Sequence, residues 1–292
     1  MPSDTDDSSF NWEEVIEVGI KFLGSPAAGT LISMLFNRNS NTETMITAAV
    51  EEICNRITKA IDVAFMNEYI ADTNSIANRL SAFNDSKDKD ILDELFADAS
   101  DTVQRLKRFN TIEGILAFNY ICTLHLIIIQ ALSEYNIGYK ETLSRTGKEY
   151  SELSKSKSDI IVNLTRDSID PINFEGLDHG GYTIETHTRG AFTEYATIKF
   201  DARFLDRWEN SPHVITSDPF ELTNPMMYYA EGFPSRLLLT PSAQRDTSII
   251  NKHSEFIIKA QKEWESYLDN KLVFPRRIES TILSACKKWE SL

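Results

Sequence analysis

Residues 114–132 read GILAFNYICTLHLIIIQAL, nineteen positions without a single Asp, Glu, Lys or Arg. The only polar side chains in the run are Asn119, Tyr120, Thr123, His125 and Gln130. A helix that is apolar on every side is either enclosed by other helices or sits in lipid. Nineteen helical residues rise about 28 Å, close to the ~30 Å of a bilayer's hydrocarbon layer. Both fates are open to one segment if the protein refolds. Asn110 and Glu113 have the spacing of a cap and capping box, which predicts a helix over about 112–134.

Upstream of it, residues 90–109 carry Ile91, Leu92, Leu95, Phe96, Ala99, Val103, Leu106 and Phe109 on one face and charges on the other. Earlier still, Ser40 and Glu43 open a long helix whose apolar seam runs Ile46, Val50, Ile53, Ile57, Ala60, Ala64. A second seam runs Tyr69, Thr73, Ile76, Leu80, Phe83. A five-residue jump from Ala64 to Tyr69 separates the two, which predicts a rotation or bend there. A short helix over Asn11–Leu23 and a buried small-residue segment over 27–36 precede them, behind an acidic lead-in at residues 1–9.

Downstream, residues 138–166 are helical and polar, with Lys155, Lys157 and Asp159 read as a solvated face. Past Arg166 the period changes. Tyr182–Arg189 and Ala191–Phe200 alternate around Gly190, the pattern of a β-hairpin, with Tyr182, Ile184, Thr186 and Thr188 on one face. Pro212, Pro219, Pro225, Pro234 and Pro241 mark the stretch 211–246 as irregular structure with short strands or turns, and two helices, about 248–270 and 276–290, close the chain around Phe274-Pro275. The expected fold is mainly α: a helical bundle around a central apolar helix (about 112–134), with a small β-hairpin and irregular segment (about 180–245) and C-terminal helices. The expected division is a bundle over 1–166 and a second part over 167–292 packed on it.

The net charge of −14 argues against nucleic acid as a partner and against electrostatic adsorption to anionic lipid. Cys54, Cys122 and Cys286 are odd in number and far apart, as plain buried thiols are, so no metal site or disulfide framework is expected. Residues 1–7 are acidic where a secretory signal would be basic, so a soluble chain released by a non-classical route is expected. Signatures for phosphate loops, dinucleotides, serine hydrolases and zinc proteases are absent, and no cofactor or catalytic residue is expected. Asp178-His179-Gly180-Gly181 with His187 is the nearest thing to an acid–base or metal cluster, and reads better as a turn with surface histidines. Trp208, Tyr228, Tyr229 and Phe233 could form a sugar-stacking surface, but read better as packing. His125, set inside the apolar helix, is a candidate pH-sensitive group, because an unpartnered imidazolium is costly to bury.

Four segments in order resemble the helical, pore-forming first domain of the Cry-type insecticidal δ-endotoxins. They are Phe22–Phe36 (FLGSPAAGTLISMLF), Phe65–Phe83 (FMNEYIADTNSIANRLSAF), Asp93–Phe109 (DELFADASDTVQRLKRF) and Phe118–Tyr135 (FNYICTLHLIIIQALSEY) followed by Gly138. The resemblance covers about residues 12–165. It implies a bundle whose amphipathic and apolar helices enter a target-cell membrane as a hairpin, here about 91–134. The membrane-inserting residues would then be Leu95, Phe96, Val103, Leu106, Leu116, Phe118, Ile121, Leu124, Leu126, Ile127, Ile128 and Ile129. About 125 residues follow, too few for the family's two β-rich recognition domains. A second β-rich subunit, or self-oligomerisation, is therefore part of the expectation. The competing expectation is a non-enzymatic helical-bundle interaction or regulatory protein without membrane activity.

Overall fold

The computed structural model describes residues 62–292 apart from 87, 178–180, 190–191, 223–226 and 231–232. The helix over 11–23, the segment 27–36, the Ser40/Glu43 cap, the seam from Ile46 to Ala60, Cys54 and the Asp178-His179-Gly180 turn lie outside the described residues. The chain is mainly α. It divides into two compact units, one of residues up to Thr165 together with Val273–Leu292, the other Arg166–Leu272.

In the first unit a helical turn, Val63–Phe65, runs into a π-helical turn, Met66–Ile70, and then into α1, Ala71–Ser86. The π turn falls where the apolar spacing jumps. Its wider winding keeps Phe65 and Tyr69 on the face that continues through Thr73, Ile76, Ala77, Leu80 and Phe83, all buried. Ala64, assigned to the seam from its spacing, is exposed; Phe65 takes its place because the π turn shifts the phase. Phe65, Tyr69 and Phe109 then stack edge to face at 4.9–5.0 Å, and Arg108 donates to the Tyr69 hydroxyl at 2.8 Å.

Helix α2 spans Lys89–Leu106, capped by the Asp88 side chain. Leu92, Leu95, Ala99, Val103 and Leu106 are fully buried. Helix α3, Ile112–Tyr135, packs against α1, α2 and α4 (Tyr139–Lys155). Its cap is Thr111, whose hydroxyl accepts from the Gly114 amide at 3.1 Å, and not Asn110 as the spacing suggested. Asn110 is recruited elsewhere: Lys157 donates to its Oδ1 at 2.5 Å and to the Phe109 carbonyl at 3.0 Å. Lys157 is therefore buried rather than part of a solvated face. Its ammonium serves the α2–α3 loop. Lys155 is exposed but paired with Glu290.

Helix α4 is not purely an outer helix. Leu143, Gly147, Tyr150, Ser151 and Ser154 are buried. Gly147 is required there, since a Cβ would stand 2.4 Å from the Trp289 carbonyl oxygen. Gly147→Ala is expected to destabilise the chain by about 1–3 kcal/mol, measured by urea unfolding, because the obstacle is backbone rather than a flexible side chain. Helix α5, Ile160–Asp167, follows a turn after α4.

The second unit contains more strand than the expected hairpin. Strands β1 (Asn173–Phe174), β2 (Tyr182–Arg189), β3 (Phe192–Asp206), β4 (Ser211–Thr216) and β5 (Phe220–Leu222) form one antiparallel sheet in which β3 pairs with all the others. The β2–β3 hairpin pairs Tyr182 with Phe200 and has a bulge between His187 and Thr188. Strands β6 (Met227–Ala230) and β7 (Phe233–Leu239) pair with each other. The proline-marked stretch had read as irregular structure with short strands or turns, and short strands are present there. Pro212 lies in one of those strands, β4, which among the described residues pairs with β3 alone, and an edge strand tolerates a missing amide donor. Tyr182, Ile198, Phe200, Leu222, Leu239, Phe256 and Ala260 form the core of this unit.

Helix α6, Thr247–Glu290, is continuous, where two helices were expected. Pro275 sits inside it and forfeits one backbone hydrogen bond. Leu272, Ile278, Ile282, Ala285, Cys286 and Trp289 nevertheless keep helical spacing on one buried face across the proline, so the packing stripe outlasts the break signal. Its first part belongs to the second unit and residues from Val273 to the first.

Candidate functional site

The α2–α3 pair carries all the residues expected to insert into a membrane. Leu95, Val103 and Leu106 on α2, and Leu116, Phe118, Ile121, Leu126, Ile127, Ile128 and Ile129 on α3, are at most 1% exposed, and Leu124 is nearly so. Phe96 is half-buried. From Ile112 to Leu132 every residue except Tyr120 is buried. The hairpin's apolar surface is thus the core of the helical unit, and lipid could meet it only after the surrounding helices part.

What holds α2 on its outer side is weak. Arg79 bridges Glu94 and Asp98 at 2.8 and 2.5 Å, and Arg105 bridges Asp72 at 3.0 Å, all among partly exposed groups. Exposed pairs of this sort contribute roughly 0–1 kcal/mol each. The cohesion comes from apolar burial.

Two of the polar side chains within α3 bond to its own backbone. Asn119 Nδ2 donates to the Ile115 carbonyl at 2.8 Å and Thr123 Oγ1 to that of Asn119 at 3.0 Å. These bonds would survive in any medium that preserves the helix. His125 reaches out instead: its Nδ1 lies 2.6 Å from the Tyr150 hydroxyl on α4. Phe96 lies against the ring at 5.0 Å. The other ring nitrogen, Nε2, is buried without a hydrogen-bond partner. Burial holds the imidazole well below its usual value, at about 4, so it is neutral in mildly acidic as well as neutral solution. Protonation would add a charge whose second N–H has nowhere to go. His125 is thus an α3–α4 latch that only strong acid would charge.

Cys122 on α3 and Cys286 on α6 are free and buried. Burial pushes the Cys286 thiol up to about 11 and Cys122 well above its usual value, which keeps both unreactive.

A second constellation had no signal in the sequence. Asp206, wholly buried, receives Lys271 Nζ at 2.8 Å and the Tyr267 hydroxyl at 2.9 Å on Oδ2. The amides of Trp208 and Glu209 donate to Oδ1 at 3.0 and 3.2 Å. Lys271 also contacts Glu209 at 2.8 Å, and Glu209 lies 3.5 Å from His213. Burial alone would raise the Asp206 carboxyl; the bonds from Lys271, Tyr267 and the backbone outweigh it and hold the group below its usual range. Both carboxylate oxygens are filled, so the cluster has the chemistry of a structural staple between β3 and α6 rather than of an acid or base awaiting substrate. Its members come from two short stretches, 206–213 and 267–271, which only the fold brings together.

Of the other candidates only Trp208 touches either constellation, through its backbone amide on Asp206. His187 on β2 bonds Thr197 at 3.0 Å; its expected companion His179 lies outside the described residues. Trp208 is half-buried in the turn after β3, while Tyr228 and Tyr229 lie on β6 and Phe233 on β7. Among the described residues no group of three or more His, Cys, Asp or Glu is arranged to hold a metal ion.

No family model matches the chain, and no curated protein matches it significantly.

Proposed function

We propose that the protein is a pore-forming toxin, or the helical component of one, that delivers the α2–α3 hairpin into a target-cell membrane. The observation that carries this reading is α3: charge-free over 114–132, long enough to cross hydrocarbon, and sheathed by amphipathic helices. The internal bonds of Asn119 Nδ2 and Thr123 Oγ1 support it, because they persist wherever the helix persists, although Asn119 Oδ1 is buried without a partner. The ordered resemblance to Cry-type helical domains points the same way. Self-association or a second, β-rich subunit would complete the pore and the recognition of its target, and neither cofactor nor catalytic residue is required.

Dye-loaded neutral vesicles provide the test. Addition of the protein, over a pH series reaching below the His125 value, should release the dye. A disulfide engineered between α3 and α4 should abolish release, and reduction should restore it. If vesicles stay sealed throughout the series, with and without a candidate partner subunit, the reading is lost.

A second reading is favoured by the two ties already described, His125 to Tyr150 and Lys157 to the α2–α3 loop. They suit a core that never opens, and hence an interaction or regulatory protein without membrane activity. Sealed vesicles, together with a specific protein partner, would favour it.

A further inference from the structure

The two ends of α3 differ, and the difference bears on how such a protein would first meet a bilayer. At the N-terminal end the loop after α2 carries Lys107 and Arg108, both exposed. That loop is held down: Arg108 is engaged with the Tyr69 hydroxyl, and Lys157 binds the Phe109 carbonyl and the Asn110 side chain. At the C-terminal end the chain reads Tyr135-Asn136-Ile137-Gly138-Tyr139, without a charge. Here Tyr135 is 49% and Ile137 75% exposed, so an aromatic and an aliphatic side chain two residues apart in sequence both stand in water. The turn is closed by its own bond, the Gly138 amide donating to Asn136 Oδ1 at 3.0 Å, which leaves Ile137 presented and not folded back.

We infer that the 135–139 turn, at the C-terminal end of α3, is the docking point for the interface of an uncharged bilayer. The inference rests on the proposed membrane function and adds its direction. The exposed pair adjoins α3, with exposed Glu134 at the rim between them; inward of Glu134, lipid contact would meet no charged residue along α3 until Glu113 once the bundle opens. Tyrosine suits this place because its ring lies in the interface while its hydroxyl stays wet. The opposite end holds Lys107 and Arg108 within its loop, whereas the 135–139 turn itself is uncharged and its nearest charges, Glu134 and Lys140, flank it with opposite signs. The net charge of −14 further removes anionic lipid as the attractant. Attraction through the turn is apolar and therefore indifferent to salt.

The full-length chain, mixed with phosphatidylcholine vesicles and separated by flotation, tests this. The wild-type protein should float with neutral vesicles, equally in low and high salt. Ile137→Asp should reduce the bound fraction about tenfold and reduce dye release in proportion. Its thermal unfolding should not change, because the side chain contributes little to the core. Ile258→Asp, which charges a comparably exposed aliphatic at 60% on α6, should bind as wild type. Equal flotation and release by Ile137→Asp and wild type overturns the docking point while leaving pore formation standing. Binding that requires anionic lipid and fails in high salt also overturns it, in favour of the cationic end. If wild type neither floats nor releases dye, both proposals fall. If Ile137→Asp instead turns a dimer into a monomer with flotation unchanged, the turn is a contact between copies, and the inference is lost.

Discussion

Lys271→Met is expected to cost the β-rich unit about 3–5 kcal/mol, one of the two largest effects anticipated in this chain. The substitution leaves Asp206, which has no exposed surface, as an uncompensated buried carboxylate. The Tyr267 hydroxyl and two backbone amides would remain on it, but they carry dipoles rather than a full charge. Asp206 would respond by taking up a proton, so the loss should be smaller at low pH than at neutral pH. The double variant Asp206→Asn/Lys271→Met should recover most of the stability, since removing both charges of a buried pair is often neutral. Urea unfolding, with hydrogen exchange of the β3 amides to localise the effect, measures it. A Lys271→Met protein as stable as wild type would mean that the pair is solvated and contributes nothing.

Acid should weaken the helical unit through His125. The ordinary value for histidine is 6.5, and burial lowers this one to about 4. The unfolded chain therefore binds this proton more readily than the folded one. The sign follows: the contribution is fully present above about pH 6.5, erodes as pH falls, and is exhausted near pH 4. A gap of that size corresponds to roughly 3 kcal/mol at its limit. His125→Gln keeps a polar partner for Tyr150 but cannot titrate, so its stability should fall less steeply across the window. The difference between the two urea-unfolding series, pH by pH, isolates this group from carboxylates that titrate in the same region. Parallel curves would show that His125 keeps an unshifted affinity for protons. The low value also says something about triggering. Mild acid would leave the latch closed, so a pore-forming role in mildly acidic surroundings would need another stimulus to open the bundle.

Much of the helical unit was legible because its signals are local. The absence of charge over 114–132 marked α3 as the centre of the bundle, and the alternation of apolar and charged residues marked α2. Even the π turn left a trace, as the jump from Ala64 to Tyr69, though not which residue would turn inward. Errors arose where a distant contact overrode a local rule. Asn110 has the chemistry of a cap, but Lys157 claims its oxygen and Thr111 caps α3 instead. Pro275 has the chemistry of a helix end, but the apolar stripe from Leu272 to Trp289 runs through it. The prolines from 212 on punctuate sequence in the way loops do; Pro219 and Pro241 do lie outside strands, but Pro212 lies in β4 and Pro234 in β7. The candidate site was legible in the same uneven way. The burial of the α2 and α3 apolar residues was legible from pattern, whereas the partner of His125 and the staple around Asp206 depend on contacts between residues far apart in sequence.

The division of α6 between the two units has a consequence for biosynthesis. The helical unit is discontinuous in the chain: its last part, Val273–Leu292, is translated only after the whole of Arg166–Leu272. At about 5–20 residues per second, α3 leaves the ribosome roughly ten seconds to half a minute before the segment containing Trp289 exists. During that interval the most apolar helix of the protein lacks part of its native enclosure. A nascent chain of this design would depend on chaperones to shield α3, and in their absence could be drawn to the producing cell's own membranes.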